Sequence, residues 1–314
     1  MNALTQASLA LAVTFALAGG ALAQSWSQRS PFVNEADIDF DWQVFIGAEA
    51  MVDTQMDPFE GRFEYIRGGG GVSTAGRLSD TVTMSFSAEY FYDDYQFEFP
   101  VALGSLETPW NGIHTIGASA EFTFELDNMA IFAGPVLQLT GEAEAEVADA
   151  LAGGGFAGVA FDLADNARIG GGVALMYEIE GDVDIFPIVY LEWDLANNVV
   201  LRSTPVSHAG TRWSSVEIAW RPIQELEFAA GAAYEQRRFR LDDEGPIVDG
   251  VGEFSFIPIW ASMSYSPTES FSFSIYSTIT AWADVESYDM GGGLIGEADL
   301  STSFVIGGNF SYRF

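Results

Sequence analysis

Residues 299–314, at the carboxyl end of the chain, read DLSTSFVIGGNFSYRF. When this stretch is extended, one face carries apolar and aromatic residues: Leu300, Phe304, Ile306, Phe310, Tyr312 and Phe314. The other face carries polar residues: Asp299, Ser301, Ser303, Asn309, Ser311 and Arg313. Successive side chains of a β-strand point to opposite faces, so this two-residue repeat predicts a strand with one dry face and one wet face.

The same alternation recurs along the chain. It is clearest in residues 82–92, 115–125, 169–179, 257–265 and 271–279. Each segment is about ten residues long, which is the length that a tilted strand needs to cross a bilayer. The alternation therefore predicts an all-β chain that crosses a membrane with strands.

The connections between these segments alternate in length. Short polar connections lie at 79–80, 127–128, 165–166, 197–198, 222–225 and 267–270. Longer acidic connections lie at 93–110, 140–151, 240–250 and 284–297. Two strands for each short turn and one at each end predict about 14 strands, with both termini on the short-turn side. Counts of about 12 or 16 strands are the alternatives.

Aromatic residues of the apolar face fall near both ends of the predicted strands. Those before short turns are Trp193, Trp220 and Tyr265, and those towards the long connections are Tyr90, Tyr177 and Tyr234. The chain also ends on Phe314, with Tyr312 and Phe310 at alternate positions before it. In these features residues 42–314 resemble the bacterial outer-membrane β-barrel proteins, whose closing strand ends in this pattern.

The resemblance implies a single transmembrane antiparallel β-barrel with short periplasmic turns and longer acidic extracellular loops. It implies outer-membrane lipid and lipopolysaccharide as surroundings, and no cofactor. It also makes Phe310, Tyr312 and Phe314 the signal that the outer-membrane barrel assembly machinery would recognise. The alternative is an exported soluble β-sandwich or propeller, which would bury its apolar face and show water its polar face.

The amino-terminal residues have the features of a secretory signal. Residues 9–23 are apolar or small, and residues 21–23 supply the small-residue pattern for cleavage after Ala23. Residues 1–8 contain no Lys or Arg, which departs from the usual signal. An uncleaved membrane helix is the alternative, but the apolar run is short for a span. We expect three parts: a signal peptide at 1–23, a short periplasmic segment at 24–41 and the barrel at 42–314.

The composition limits the possible partners. The chain has 45 acidic and 12 basic residues, a formal charge of −33, and every basic residue is Arg. Phosphate binding needs a basic face, so a nucleic-acid partner is not expected. The absence of Cys excludes disulfides, thiolate zinc sites and cysteine nucleophiles. The excess of carboxylates predicts a negative potential that enriches cations, with simple solubility or a salty habitat as the alternative explanation.

If the apolar parity faces lipid, the other parity lines the interior. The charged residues expected to point inward are Glu49, Arg62, Glu121, Glu125, Arg168, Glu178, Arg202, Glu217, Glu227, Glu235, Arg237 and Asp299. Carboxylates and guanidiniums in a lumen can pair across it and set its ion preference. We therefore predict a passive, porin-like channel for small solutes with cation preference. The alternative is that the same pairs fill the interior and block it.

Two other functions compete with that of a channel. A non-conducting structural or adhesive barrel would use its acidic loops to meet ligands or neighbours. A hydrolase would need a general base, and the only two His residues are His114 and His208. Neither precedes a Ser by two residues, as the His of outer-membrane phospholipases does, so no enzyme activity is expected. The acidic clusters at 142–146, 178–184 and 242–244 lack the spacing of a calcium loop, so no metal site is expected.

Overall fold

A computed structural model describes residues 40–58, 61–104, 107–177, 179, 181, 183–205 and 214–314. Within these ranges the chain forms fifteen β-strands and one short 3₁₀ helix, Val101–Leu103. The strands are β1 (Phe40–Asp57), β2 (Gly61–Ser79), β3 (Val82–Glu98), β4 (Gly112–Leu126), β5 (Met129–Glu142), β6 (Leu151–Ala164), β7 (Ala167–Tyr177), β8 (Val183–Ala196), β9 (Val199–Pro205), β10 (Ser214–Ile223), β11 (Leu226–Arg240), β12 (Val251–Thr268), β13 (Phe271–Tyr288), β14 (Leu294–Leu300) and β15 (Phe304–Arg313). The expected signal peptide lies outside the described residues. The described part of the chain includes no helix that is both long and apolar enough to span a bilayer.

The strands close into one antiparallel barrel. Each strand from β1 to β13 pairs with the next, and both β14 and β15 pair with β13 on one side and β1 on the other. β14 and β15 continue a single register on β1, because Met51 faces Val305 and Met56 faces Leu300. They are therefore two pieces of one last strand, interrupted at 301–303. The predicted all-β barrel of 14 strands is confirmed.

The turns divide the barrel into two ends. A tight turn lies at, or within one residue of, each of the six short connections predicted from the sequence: 80–81, 127–128, 165–166, 197–198, 224–225 and 269–270. We call the end with these turns the turn end and the opposite end the loop end. Asp and Asn supply the two-residue turns at 127–128, 165–166 and 197–198, where their short polar side chains favour tight reversal.

The apolar parity forms the outer surface around the middle of the barrel. The six aromatic residues expected at the strand ends, from Tyr90 to Tyr265, are all between 39% and 55% exposed. Aliphatic residues between them are equally exposed, including Ile46, Ile116, Leu137 and Ile259. A soluble sandwich would bury these side chains, so the outer surface is that of a barrel made to face lipid.

Beyond this band, towards the loop end, the polarity of the wall reverses. On β2, Phe63 and Tyr65 are buried inside, whereas the adjacent Arg62 faces outward at 59% side-chain exposure. The three neighbouring strands β13, β14–β15 and β1 change parity together. β1 shifts register between Met51 and Thr54, the β12–β13 ladder shifts beside Pro258, and the last strand is interrupted at 301–303. A bulge inserts one residue and moves every later side chain to the opposite face.

The reversal explains why several strands run longer than the sequence predicted. Residues 93–98 and 284–288 were expected in acidic connections but belong to β3 and β13. Apart from Asp93, which points into the lumen, their acidic residues point out to water at the loop end, and their apolar neighbours point in. The sequence of a strand at the loop end resembles that of a polar loop, because it has few apolar residues and its water-facing side is rich in carboxylates.

β11 leans across the loop end and meets the opposite wall. Its last residue, Arg240, pairs with Gly141 of β5, although five strand positions, β6 to β10, lie between these strands around the barrel. A Cβ atom on Gly141 would lie 2.8 Å from the Arg240 carbonyl oxygen, so only Gly permits this approach without displacement. We call this contact the mouth bridge.

Two side chains tie the long connections to the mouth bridge. The Arg240 guanidinium donates to the carbonyl oxygens of Asp149, Ile179 and Asp249, at 3.3, 3.1 and 2.7 Å. The Glu142 carboxylate accepts from the backbone N–H groups of Asn111 and Asp242, at 3.2 and 3.0 Å. The loop end is therefore closed by contacts that link opposite walls.

Candidate functional site in the barrel interior

Most charged residues that were expected to point inward lie in the interior. These are Glu49, Glu121, Glu125, Arg168, Arg202, Glu217, Glu227, Glu235 and Arg237. Their position follows from alternation with the exposed outer residues and from contacts across the barrel. Glu178 lies outside the described residues. Whether the interior residues line a solute path remains a prediction.

Two of the expected inward residues lie on the outer face instead. Arg62 pairs there with Asp53 at 3.2 Å. Asp299 is exposed between the buried residues Ala298 and Leu300. Both belong to the loop-end part of the wall, where the outside meets water and the inside is apolar. The interruption at 301–303 moved Asp299 to the other parity, and a continuous two-residue repeat could not anticipate it.

Arg237 makes the central polar contacts of the interior. It reaches from β11 to Glu49 on β1 at 2.8 Å and to Asp93 on β3 at 3.1 Å, and it also binds Glu235 at 2.8 Å. Around the barrel, five strand positions separate β11 from β3. Glu49 in turn accepts from the hydroxyl of Tyr65 at 2.9 Å. We call the group of Arg237, Glu49, Asp93 and Glu235 the crosspiece, because it joins opposite walls through the lumen.

Aromatic rings surround the crosspiece. The Arg237 guanidinium carbon lies 4.9 Å from the ring centre of Tyr65, 5.3 Å from that of Phe256 and 5.8 Å from that of Phe254. Such contacts stabilise a guanidinium most where water is excluded. Arg237 itself is 4% exposed, so the crosspiece is a dry ionic group.

Two further ionic groups lie on the wall nearer the turn end. Arg202 pairs with Glu217 and, at 3.0 Å, with Glu227, which also binds Arg221. Further along the same wall, Arg168 of β7 pairs with Asp162 and, at 3.2 Å, with Glu125. Every one of these guanidiniums is paired with carboxylates, so the interior charges largely neutralise one another locally.

A hydrophobic cluster fills the lumen at the loop end, and we call it the plug. Its strand residues are Met51, Met56, Phe63, Tyr65, Tyr95, Ile113, Phe239, Phe254, Phe256, Ala283, Val285, Ala298, Leu300 and Val305. The long connections add Leu103, Trp110, Leu241 and Ile247. The expectation of a polar lumen is therefore wrong for this end of the barrel. The missed signal lies on β12, where Phe254 and Phe256 carry the apolar pattern on one parity, whereas Ile257 and Ile259 carry it on the other.

A cavity lies between the plug and the turn end, and we call it the chamber. Its apolar wall includes Phe91, Phe256, Pro258 and Trp260. Hydroxyl and amide groups face the same space from Ser262, Ser264, Thr278 and Asn309. Tyr65, Phe256 and Val305 belong to both the plug and the chamber, so the apolar lining is continuous from one to the other.

Inward-facing glycines let large rings lie flat against the wall of the chamber. A Cβ on Gly69 would lie 2.5 Å from the Phe91 ring, and one on Gly231 would lie 2.6 Å from the Trp260 ring. The glycine run at 68–71 is thus part of one continuous strand whose missing side chains make room for aromatic neighbours.

Outside the barrel, five carboxylates crowd the wall at the loop end. Asp284 lies two residues beyond the outward Trp282, and Glu253, Glu286, Glu297 and Asp299 are its charged neighbours. Burial, and then the repulsion from these carboxylates, raise the pKa of Asp284 to about 7. On this face Arg238 binds one of these carboxylates, that of Glu253, at 2.7 Å.

The shifted pKa of Asp284 predicts a pH-dependent stability. The unfolded chain ionises this residue near its ordinary value of 3.8, whereas the folded barrel holds the proton until about pH 7. Stability should therefore fall as the pH rises between these values. We expect Asp284→Asn to raise the thermal midpoint at pH 8 and to change it little at pH 4, as measured by heat-dependent gel mobility in detergent. Asp243→Asn, in an exposed loop, is the control, and an unchanged pH profile in Asp284→Asn would contradict the assignment.

The remaining candidate residues have simple surroundings. His114 faces outward, as expected, and forms a 2.8 Å hydrogen bond with the Tyr90 hydroxyl. His208 lies outside the described residues. Phe310, Tyr312 and Phe314 follow the outer parity of β15, with the rings of Tyr312 and Phe314 5.2 Å apart. Among the described residues, no group of three His, Asp or Glu side chains is arranged so that it could hold a metal ion.

No protein-family model matches the sequence, and no curated protein is significantly similar to it. Among solved structures, the barrel is similar to the toluene transporter TodX of P. putida, with a TM-score of 0.50 and 10% identity over 89% of this chain and 91% of that chain. A FadL homologue of Pseudomonas aeruginosa has a TM-score of 0.48 and 13% identity over 88% and 90% of the two chains. An outer-membrane channel of Pseudomonas putida F1 has a TM-score of 0.48 and 8% identity over 91% and 98%.

At these identities the similarity concerns the fold alone. The closed barrel of fourteen strand positions, its exposed apolar band and its aromatic strand ends define the chain as a bacterial outer-membrane β-barrel protein.

Proposed function

We propose that this barrel is a passive outer-membrane channel for small, mainly apolar and uncharged solutes. The observation that carries the proposal is the continuous apolar lining between the plug and the chamber. An open porin keeps a polar, hydrated route through its whole lumen. Here an ion would have to cross closely packed aromatic rings, where a charge loses its hydration. An apolar solute loses nothing on entering such a region and can exchange contacts with the side chains it displaces.

The fold comparison supports the same solute class without establishing it. TodX, which shares the fold, is described as a toluene transporter. In this chain, rings such as Phe91 and Trp260 give the chamber an apolar wall, and the hydroxyl of Ser262 and a group of Glu and Arg side chains give it a polar side. We propose that the solutes carry an apolar body with at most a small polar group.

Cation preference belongs to the same proposal for any residual ion flux. The chain has a formal charge of −33, and in the chamber Glu49, Glu217, Glu227 and Glu235 face Arg67, Arg202 and Arg237. An acidic surplus favours cations over anions at a channel mouth. A reversal potential measured in a salt gradient would test this, and anion selectivity would contradict it.

Uptake of a neutral fluorescent probe tests the proposed solute class. Cells that carry the full-length chain in their outer membrane should take up N-phenyl-1-naphthylamine faster than cells that lack it. Ser262→Trp places a large ring in the chamber, and we expect it to reduce uptake to the level without the protein. The matched control is Ala261→Trp, because the neighbouring Ala261 faces outward on the same strand. Equal uptake with and without the chain, or equal uptake in the two variants, would refute the proposal.

A further inference from the structure

We infer that Arg237 is the specificity-determining residue of this lumen. Its guanidinium, at the centre of the crosspiece, keeps ions out of the passage, while neutral solutes pass beside it. The inference rests on the proposed channel function and deepens it, because it assigns the rejection of ions to one side chain.

Geometry singles out Arg237 among the interior cations. Arg202 binds carboxylates of the neighbouring and the next-neighbouring strand on its own wall. Arg168 binds a carboxylate on a strand three positions away, along the same wall. Arg237 instead binds Glu49 on β1 and Asp93 on β3, which lie across the lumen from β11. It is the interior guanidinium, among the described residues, that spans the passage between the plug and the chamber.

The planar guanidinium suits this position. It donates to three carboxylates at once, those of Glu49, Asp93 and Glu235, and its faces lie against aromatic rings. A Lys ammonium would carry the same charge but could not present a rigid fork to two walls. The ring contacts exclude water, so Arg237 offsets part of the negative charge of the three carboxylates in a site that is not hydrated.

Removing the guanidinium would change both the charge and the hydration of the passage. Among the described residues, Glu49 and Asp93 would then face the lumen with Arg67, which lies 3.4 Å from Asp93, as the remaining cation beside them. Carboxylates in a dry site that lose a bound guanidinium recruit water or counter-ions, because burying an excess of like charge is unfavourable. The passage should therefore become hydrated and conduct cations.

The absence of Cys from the natural chain allows a test in which charge is removed and restored. Arg237→Cys in planar bilayers should raise the ion current over that of the wild-type chain by on the order of tenfold, with cation selectivity. A methanethiosulfonate reagent that carries an ammonium group should return the current towards the wild-type level. The corresponding sulfonate reagent, which adds a negative charge, should leave the current high.

Arg238→Cys is the matched control. Arg238 is the next residue but faces outward, where it binds Glu253 and lies 4.8 Å from the ring centre of Tyr288. Its variant should keep the wild-type current with either reagent. A current in Arg237→Cys that equals that of Arg238→Cys, or that responds alike to both reagents, would overturn the inference.

The failure of this inference can be told apart from the failure of the proposed function. Probe uptake by the wild-type chain tests the function, whereas the difference in current between the two Cys variants tests Arg237. Wild-type uptake together with an unchanged current in Arg237→Cys would refute the inference alone. If Arg237→Cys does not fold, Arg237→Lys replaces it: a current above that of Arg238→Lys supports the role of the fork, and an equal current refutes it.

Discussion

The double variant Gly141→Cys/Arg240→Cys should lose probe uptake when oxidised and regain it when reduced. The two residues form the mouth bridge, and a Cβ on Gly141 would lie 3.3 Å from the Cβ of Arg240, close to the separation found in disulfides. Since the natural chain has no Cys, this pair would form the single possible disulfide. The bond would fix β5 against β11 and keep the loop end closed, so uptake should fall to the level of cells without the protein.

Reduction of the disulfide should also leave the mouth bridge weaker than it is in the wild-type chain. The Cβ at position 141 would press on the Arg240 carbonyl oxygen at 2.8 Å, and the Arg240 contacts to three connections would be gone. We therefore expect the reduced form to take up the probe at least as fast as the wild-type chain. The cross-link also closes a loop of about 100 residues, which should stabilise the oxidised fold by about 5 kcal/mol.

Gly141→Ser/Arg240→Ser is the control for the disulfide, because it replaces the same two residues without forming a covalent bond. Its uptake should not depend on the redox state, and a gel shift on reduction should occur for the Cys pair alone. Uptake by the oxidised Cys pair at the wild-type rate would show that solutes do not need the mouth bridge to open.

Phe314→Ala should lower the amount of protein in the outer membrane by on the order of tenfold, while leaving the assembled barrel nearly as stable as before. The structure gives Phe314 few contacts: its N–H donates to the Trp42 carbonyl oxygen at 2.9 Å, and its side chain is 72% exposed. A substitution there removes little packing. A large loss in cells would therefore reflect recognition of the terminal pattern by the assembly machinery.

Phe304→Ala separates recognition from stability. Phe304 lies on the outer face of the same last strand and is 42% exposed, but it stands outside the terminal pattern. Both variants should refold in detergent to barrels of similar thermal midpoint, and only Phe314→Ala should be depleted from the outer membrane. Equal levels of the two variants in the membrane would remove Phe314 from the assembly signal.

The sequence was sufficient for the parts of the fold that depend on local pattern. The two-residue repeat located the strands, the Asp and Asn pairs located the turns, and the exposed Trp193 and Trp220 confirm the parity assigned to the outer face. These features follow from backbone geometry and from contact with lipid, both of which act on each strand separately.

The interior could be predicted only in part, since its contacts depend on how strands meet across the lumen. Glu49 and Arg237 were placed inward, but 188 positions in sequence separate them and no local pattern pairs them. Asp93 was assigned to a loop, and Arg67 was hidden beside the glycine run at 68–71. Both are buried in the structure and contact the crosspiece or belong to it.

The parity change near residues 52–53, 281 and 301–303 has a consequence for how this chain can vary. On the turn-end side of this change, substitutions in a strand are constrained as in a membrane protein: outward positions must be apolar, and inward positions tolerate polar residues. On the loop-end side, the same strand is constrained as in a water-soluble barrel, and substitution by an outward Leu or an inward Asp is the harmful change. The loop-end section of the strands can therefore gain and lose surface charge without disturbing the section in the bilayer. The two sections of one strand are under different selection.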